Sequence, residues 1–401
     1  MIDPTHPAPP DLDTVRAFLD HSHGEVAIEA AEIATEIEQL AVVHDDEGAR
    51  SQAREILSIL GSARLPRHAA PNSWGGVESG PQFRSCCLVR EALAAVSPLA
   101  DSVFALQCLG SMPVTLGGTD ELRQRVLPKV IGGEWMAAFA MTEPDAGSDV
   151  ASMRTRARRD GAEWVLEGHK HLITNAGEAD FYCVFAVTDP DAGSRGISCF
   201  FVEHGTPGLH FAGAQILSEP HPLGALEFDG CRVPAGCMLG AEGEGFKLGM
   251  RTLDRLRPTV AAAACGMATR ALDEALAHAT TRRQFGRPLA ELQMTQQKLA
   301  RMATELTAAR LLTYRAAWAA DQGKDRISQE AAMAKSYASE AAQRIVDDAV
   351  QVCGGRACLR DHPVDRLYRA VRALRIYEGA TEVQHLVIAR GLVDSYGRQS
   401  R

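Results

Sequence analysis

The chain reads as an α+β multidomain protein. A helical N-terminal domain is expected over 1–135, a middle antiparallel β-barrel or sandwich domain over 136–244, and a C-terminal four-helix bundle over 245–401. Three observations predict this order. Apolar residues recur at helical spacing through the first third. Near Trp135 the texture changes to short β-rich runs parted by Gly, Asp and Pro. From about Gly245 long, Ala-rich helical patterns return.

The elements follow in order. "EVAIEAAEIATEIEQLAVV" puts Val26, Ile28, Ala31, Ile33, Ile37 and Leu40 at roughly helical spacing. "DDEGARSQAREILSILGSARL" repeats the pattern, with Gly61 as a stop. Two further helices meet near Pro98 and close at Gly117-Gly118. Thr119 is placed to cap the next helix, with acidic residues in its first turn. "EWVLEGHKHLITNA", "FYCVFAVTD", "GISCFFVEH" and "LEFDGCRVP" then read as strands. Turn signals about every ten residues suggest a small barrel or sandwich. Four long helical segments end at Gly286, Gly323, Gly354-Gly355 and the C-terminus.

Composition narrows the function classes. The 401 residues are 46% hydrophobic and 23% charged, enough for several packed cores. A net charge of −9 argues against a general nucleic-acid or anionic-membrane binder, which needs a basic face. Ten scattered cysteines show no CxxC pair and no zinc spacing, and suit buried, reduced thiols in the cytoplasm. "MIDPTHPAPPDLD" lacks the basic and apolar regions of a signal peptide. No run of about eighteen apolar residues is apparent, so no membrane span is expected.

Motifs carry less when read singly. "AMTEPDAGSD" offers a turn with free backbone N–H groups and hydroxyls for a polar ligand group, or is a surface turn. "TTRRQFG" either caps a helix end with Gly286 and two arginines or brings Arg282 to a phosphate. "QVCGG" either stops a helix or lets a ligand approach the backbone. "AEGEGF" is not GxGxxG, and no strand–turn–helix unit surrounds it. His169 and His171 share a strand face, but without a convergent third ligand no metal is expected. Glu378, in "RIYEGATEVQ", favours a helix start or faces a substrate.

Taken together, "AMTEPDAGSD", "LITNAGEADFY", "RRQFG", "DDAVQVCGG" and "RIYEGATEVQ", in that order, closely resemble the acyl-CoA dehydrogenase family along nearly the whole chain. The resemblance implies FAD as cofactor, a homotetramer or homodimer, an acyl thioester on CoA or a carrier protein as substrate, and an electron-transfer flavoprotein as partner. It implies that Glu378 is the catalytic base, taking the α-proton while the β-hydride passes to flavin N5. Met141, Thr142, Ser148, Thr174 and Thr381 are expected at the cofactor on the same grounds, and Ser148 at the substrate as well. Arg282 and Phe285 are expected to reach FAD of a neighbouring subunit, and Gln351 and Gly355 to lie along its adenosine part. Arg257, Tyr377 and Gly379 are expected beside the thioester.

Several positions depart from the family pattern. Leu172 replaces an aromatic residue, Ala380 a Thr, and "GGRACL" a Gly-aromatic-Gly run. Leu256 stands where some relatives place their base, which leaves that role to Glu378. "ILSEPHPLGALEF" is shorter than usual and lacks an Arg, which suggests an unusual thioester such as a carrier-bound one. A flavin oxidase or monooxygenase on the same fold is a further alternative.

Overall fold

The computed structural model describes residues 10–324 and 326–399. Most of the Pro-rich lead-in, residues 1–9, lies outside the described residues. The chain forms two compact units: one from residues up to 42, 83–101 and 254 onward, the other from 43–82 and 102–253.

The first unit is helical. Helix α1 (Ser22–Glu38) buries Val26, Ala27, Ala30, Ala34 and Ile37. These recur every three or four residues and so form one stripe. Ile28 was expected on that stripe but is 57% exposed, because a turn of 3.6 residues carries it to the far side. Helix α3 (Phe83–Val96) also belongs to the first unit, whereas α2 (Asp46–Ser62) and the helical residues 102–131 belong to the second. Helix α4 (Pro98–Gly117) starts where the break at Pro98 was expected, and α5 (Asp120–Ile131) is capped by Thr119, which accepts from Leu122 N at 3.3 Å. Helix α4 corrects one expectation. It is long and apolar enough by length and composition to cross a membrane, but 89% of that window is buried inside the protein.

The second unit is built on one sheet. Its strands are β1 (Ala137–Ala140), β2 (Arg156–Asp160), β3 (Glu163–Thr174), β4 (Phe181–Val187), β5 (Ile197–Glu203), β6 (Leu209–Ala214), β7 (Leu223–Pro234) and β8 (Met238–Leu239). The order is β6-β7-β3-β2-β4-β5-β8, with β1 added on β4. Strands alternate their side chains between faces. Phe181, Cys183 and Phe185 of β4 therefore enter one apolar core, while Tyr182, Val184 and Ala186 enter another.

Two expectations for the sheet are corrected. It is an open sheet, not a closed barrel: β6 is mostly exposed, and β8 has only two residues, pairing with β5 alone. Nor is it wholly antiparallel, since β1 and β2 both run parallel to β4. The forty residues between β1 and β4 supply the long crossover that parallel pairing requires.

After the sheet come α6 (Gly245–Thr281), a two-residue-per-strand hairpin of β9 (Arg283–Gln284) and β10 (Arg287–Pro288), then α7 (Gln293–Asp321), α8 (Ser328–Cys353), α9 (Pro363–Leu374) and α10 (Thr381–Gln399). Five helices are thus described where four were expected. The unexpected one is α9, short and highly charged, with Pro363 at its first turn and His362 accepting from Val364 N at 3.2 Å. Its buried residues Val364, Leu367, Val371 and Leu374 fall on one face. Small residues let the long helices approach closely: Ala261, Ala263, Ala264 and Ala268 of α6 share a core with Ala334, Ala338 and Ala342 of α8. Larger members such as Ile345 stabilise that core by about 1.5–3 kcal/mol each through area removed from water.

Candidate active site

Residues 375–380 form a turn between α9 and α10. Glu378 takes φ +53° and Gly379 φ +98°. A left-handed Glu costs about 1–3 kcal/mol and persists only where its surroundings hold it there. Cationic and amide groups from three helices do so. Arg257 Nε (α6) donates to the Glu378 carbonyl at 2.9 Å. Lys335 Nζ (α8) donates to the Gly379 carbonyl at 2.7 Å, and Gln384 Nε2 (α10) donates to the same oxygen at 3.0 Å. Thr381 Oγ1 and Arg375 Nε both donate to Glu340, at 2.8 and 2.7 Å. The donors are spent on backbone carbonyls, and the Glu378 carboxylate keeps a buried Oε2 with no partner. A helix-start decoration would be solvated or would bond free backbone N–H groups. This carboxylate is instead poised for something else.

Charge surrounds it. Arg90, in α3, is buried and forms a two-pronged pair with Asp101 at 2.7 and 2.8 Å, and its Nη1 donates to Thr259 Oγ1 at 3.0 Å. Burial alone would lower its pKa, but Asp101 overrides this and keeps it cationic. Burial raises the proton affinity of Glu378 above its ordinary value of 4.5, while Arg90, Arg257 and Lys335, in that order, pull it back. Burial brings Lys335 down to about 8, partly offset by Glu378. Burial, with Asp101 and Glu378, raises the Tyr377 phenol, and Arg90 opposes the shift. Arg257 also pairs with Asp254 at 2.5 Å. The site is therefore a desolvated carboxylate under three cations, and its proton affinity is set by the balance of the two effects.

Gly379 is required by this geometry. A Cβ there would lie 2.3 Å from Gln384 Nε2, and Gln384 is fully buried and bonded to the same turn. Gly379→Ala is expected to cost about 1–3 kcal/mol in thermal melting and to slow turnover, because the turn must shift. An unchanged melting temperature with normal turnover would show that the turn tolerates a side chain.

A second group of expected residues lies in the sheet unit. Met141 is buried, and its carbonyl accepts from Lys170 Nζ at 3.1 Å. Thr142 is half-buried, and its carbonyl accepts from His171 N at 2.9 Å. Ser148 is exposed at the tip of the loop. The loop is anchored by Glu143, which accepts from Arg154 N, Thr155 N and the fully buried Lys170 Nζ at 2.6, 3.0 and 2.7 Å. Strand β3 is irregular between Lys170 and Ile173, and Leu172 there takes φ +54° with half its surface exposed. Thr174 follows, its Oγ1 3.0 Å from His221 Nε2. An exposed apolar side chain beside hydroxyls and loop N–H groups suits a flat heteroaromatic ring with polar edges. The residues present therefore fit a flavin.

A third group lies at the ends of α6 and α8. Gly286 does not cap α6, which ends at Thr281. With Phe285 (φ +50°) and Gly286 (φ +80°), the segment turns the β9–β10 hairpin. Arg282 is exposed and Phe285 is 89% exposed. Gln351 and Gly355 are exposed at the end of α8. The ends of α6 and α8 meet: burial, then Arg356 and Arg282, hold the pKa of His278 down. The helix ends thus carry a small basic cluster.

Sequence reasoning missed Arg90, Asp101, Lys335, Gln384, Glu143 and His221. Lys335 had a readable sign, since it sits on the apolar stripe of Ala331, Ala334 and Ala338. Arg90 and Asp101 come from segments that read only as helix. All ten cysteines are free thiols, eight of them buried.

Comparison with known proteins agrees with these features. Family models described as the N-terminal, middle and C-terminal domains of acyl-CoA dehydrogenase match residues 14–134, 138–231 and 243–393. Cyclohexane-1-carbonyl-CoA dehydrogenase of Geobacter metallireducens is 41% identical over 341 residues, 84% of this chain and 89% of that protein. The structure of butyryl-CoA dehydrogenase from Megasphaera elsdenii superposes with a TM-score of 0.88 at 33% identity, covering 94% of this chain and 99% of that one. PigA with FAD and proline superposes at 0.83 and 29% identity, covering 93% and 98%. The three helical and sheet regions, with the motifs they carry, are those of the acyl-CoA dehydrogenases, and this chain belongs to that family.

Proposed function

We propose that the protein is a FAD-dependent oxidoreductase that converts an acyl-CoA to its trans-2-enoyl thioester, with Glu378 as the base. The buried, unpartnered Oε2 of Glu378 carries this reading. An α-proton next to a thioester is weakly acidic, so its acceptor must be close and desolvated. Glu378 takes that proton, and its neighbouring cations stabilise the anionic form that accepts it. FAD, when bound, accepts the β-hydride, a step for which no side chain is suited. Thr142 and Thr174 bond the flavin ring, Met141 and Ser148 line its loop, and Thr381 buttresses the turn through Glu340. Arg282, Phe285, Gln351 and Gly355 hold the pyrophosphate and adenosine end, partly across a subunit interface. Arg257 and Tyr377 flank the thioester.

The domain limits at 135/136 and 244/245 and the four-helix arrangement of α6, α7, α8 and α10 belong to the same reading. So does a homotetramer or homodimer. It is supported by Phe285 at 89% exposure and by exposed Leu386, Leu392, Val393 and Tyr396 along α10, apolar surface that a second copy would cover. An electron-transfer flavoprotein is the proposed acceptor and the cytoplasm the proposed compartment, in keeping with the free thiols.

Anaerobic bleaching of the flavin with acyl-CoAs of several lengths tests the reaction. Bleaching by at least one is expected, and none across the panel would sink it. A carrier-bound substrate is a second reading, favoured by the missing Arg and by Ile216, 70% exposed in the same segment. Faster bleaching by carrier-bound acyl groups would select it. Rapid reoxidation in air would instead favour an oxidase.

Glu378 must be ionised to act, and burial raises its pKa. The rate of flavin reduction is therefore expected to climb with pH along a limb lying above 4.5, the ordinary Glu value. A plateau reaching down to that value would remove the desolvation argument.

A further inference from the structure

His221 comes from the segment in which this chain departs from its family's pattern. Its Nε2 lies 3.0 Å from Thr174 Oγ1. The surroundings are fixed by the start of α2. Arg50 Nη1 and Nη2 donate to the carbonyls of Ala176 and Leu223, both at 2.8 Å, and Nε pairs with Asp46 Oδ2 at 2.6 Å. These two carbonyls flank the turn after Thr174 and the strand after His221. Asn175 takes φ +65°, its N donates to Pro222 O at 2.9 Å, and its Nδ2 donates to Ala137 O at 3.0 Å. The Thr174 and His221 backbones are thus stapled together from both sides.

Burial holds His221 down to about 4, against the pull of Asp46 and with the help of Arg50. The ring is neutral at working pH, with one N–H and one lone pair. The Thr174 hydroxyl faces Nε2 and can donate its hydrogen there when that nitrogen carries the lone pair.

We propose that His221 is a positioning residue: it accepts the Thr174 hydroxyl hydrogen at Nε2, turns the hydroxyl oxygen outward as an acceptor, and so favours the reduced form of the bound flavin. This rests on the reading of Thr174 as a flavin contact. An oxidised ring offers lone pairs at its polar edge, and an acceptor hydroxyl meets them unfavourably. Two-electron reduction places N–H on that edge, and the same hydroxyl oxygen then receives it. Without His221 the hydroxyl rotates and donates to the oxidised ring.

The midpoint potential of the bound flavin tests this, read by anaerobic spectral titration of holoenzyme. His221→Phe is expected to shift the oxidised-to-reduced balance about tenfold toward oxidised, a drop of roughly 30 mV for a two-electron couple. His221→Gln keeps an acceptor at that position and is expected to hold the potential near the parent value. In a Thr174→Val background, His221→Phe is expected to add nothing. If Thr174→Val shifts the potential and His221→Phe does not, His221 has no positioning role, while the flavin contact of Thr174 stands. If neither shifts it, the Thr174 reading falls and takes this inference with it. A Gln variant that folds, holds FAD and shifts as far as the Phe variant would also overturn the proposal.

Discussion

Glu378→Gln is expected to purify yellow, with FAD bound, and to lose flavin bleaching by acyl-CoA by about 10²–10⁴-fold. The substitution keeps shape and removes only the ability to take a proton. No side chain in the described residues is bonded to the missing charge, because the local donors go to the carbonyls of Glu378 and Gly379. The turn should therefore survive. Stability should hold or rise, since a desolvated carboxylate with an unpartnered oxygen is itself destabilising. Stopped-flow absorbance under anaerobic conditions gives the rate, and a melt gives the stability. Parent-like bleaching would mean that another group takes the proton.

Arg90→Met is expected to cost about 3–5 kcal/mol, because it strands Asp101 in a site where both side chains are 2% exposed. The same change should move the acid limb of the rate to higher pH. Arg90 is the strongest of the cations that pull the Glu378 pKa down, and removing it leaves burial and the Asp101 charge unopposed on that side. The double variant Arg90→Met with Asp101→Asn should recover most of the stability, since no lone buried charge remains. It should also return part of the pH shift. A double-mutant cycle in thermal melts and pH–rate profiles measures both couplings. A pH profile indifferent to Arg90 would restrict the pair to a purely architectural role.

Legibility differed by element. Helix α1 was readable because its stripe follows helix geometry, although Ile28 lies off it. Strands β4 and β5 were readable as continuous apolar runs, and both are buried on two faces. Strands β1, β2, β6 and β8 were not, being short, Ala-rich, charged or exposed. Open topology and parallel pairing depend on partners far along the chain, and no local pattern encodes them. Helix α9 is not legible although its apolar spacing is regular, because it is short and four charged residues interrupt that spacing.

By itself, the sequence determined the order of helical and sheet regions, the family, and the carboxylate at Glu378. These follow from local periodicity and from motifs contiguous along the chain. Only the tertiary structure decided what that carboxylate experiences. Arg90 and Asp101 lie nearly three hundred positions before it, Arg257 over a hundred before, and Lys335 some forty before. Desolvation and Coulomb attraction depend on distance in space, and folding alone brings these charges within reach of one buried oxygen.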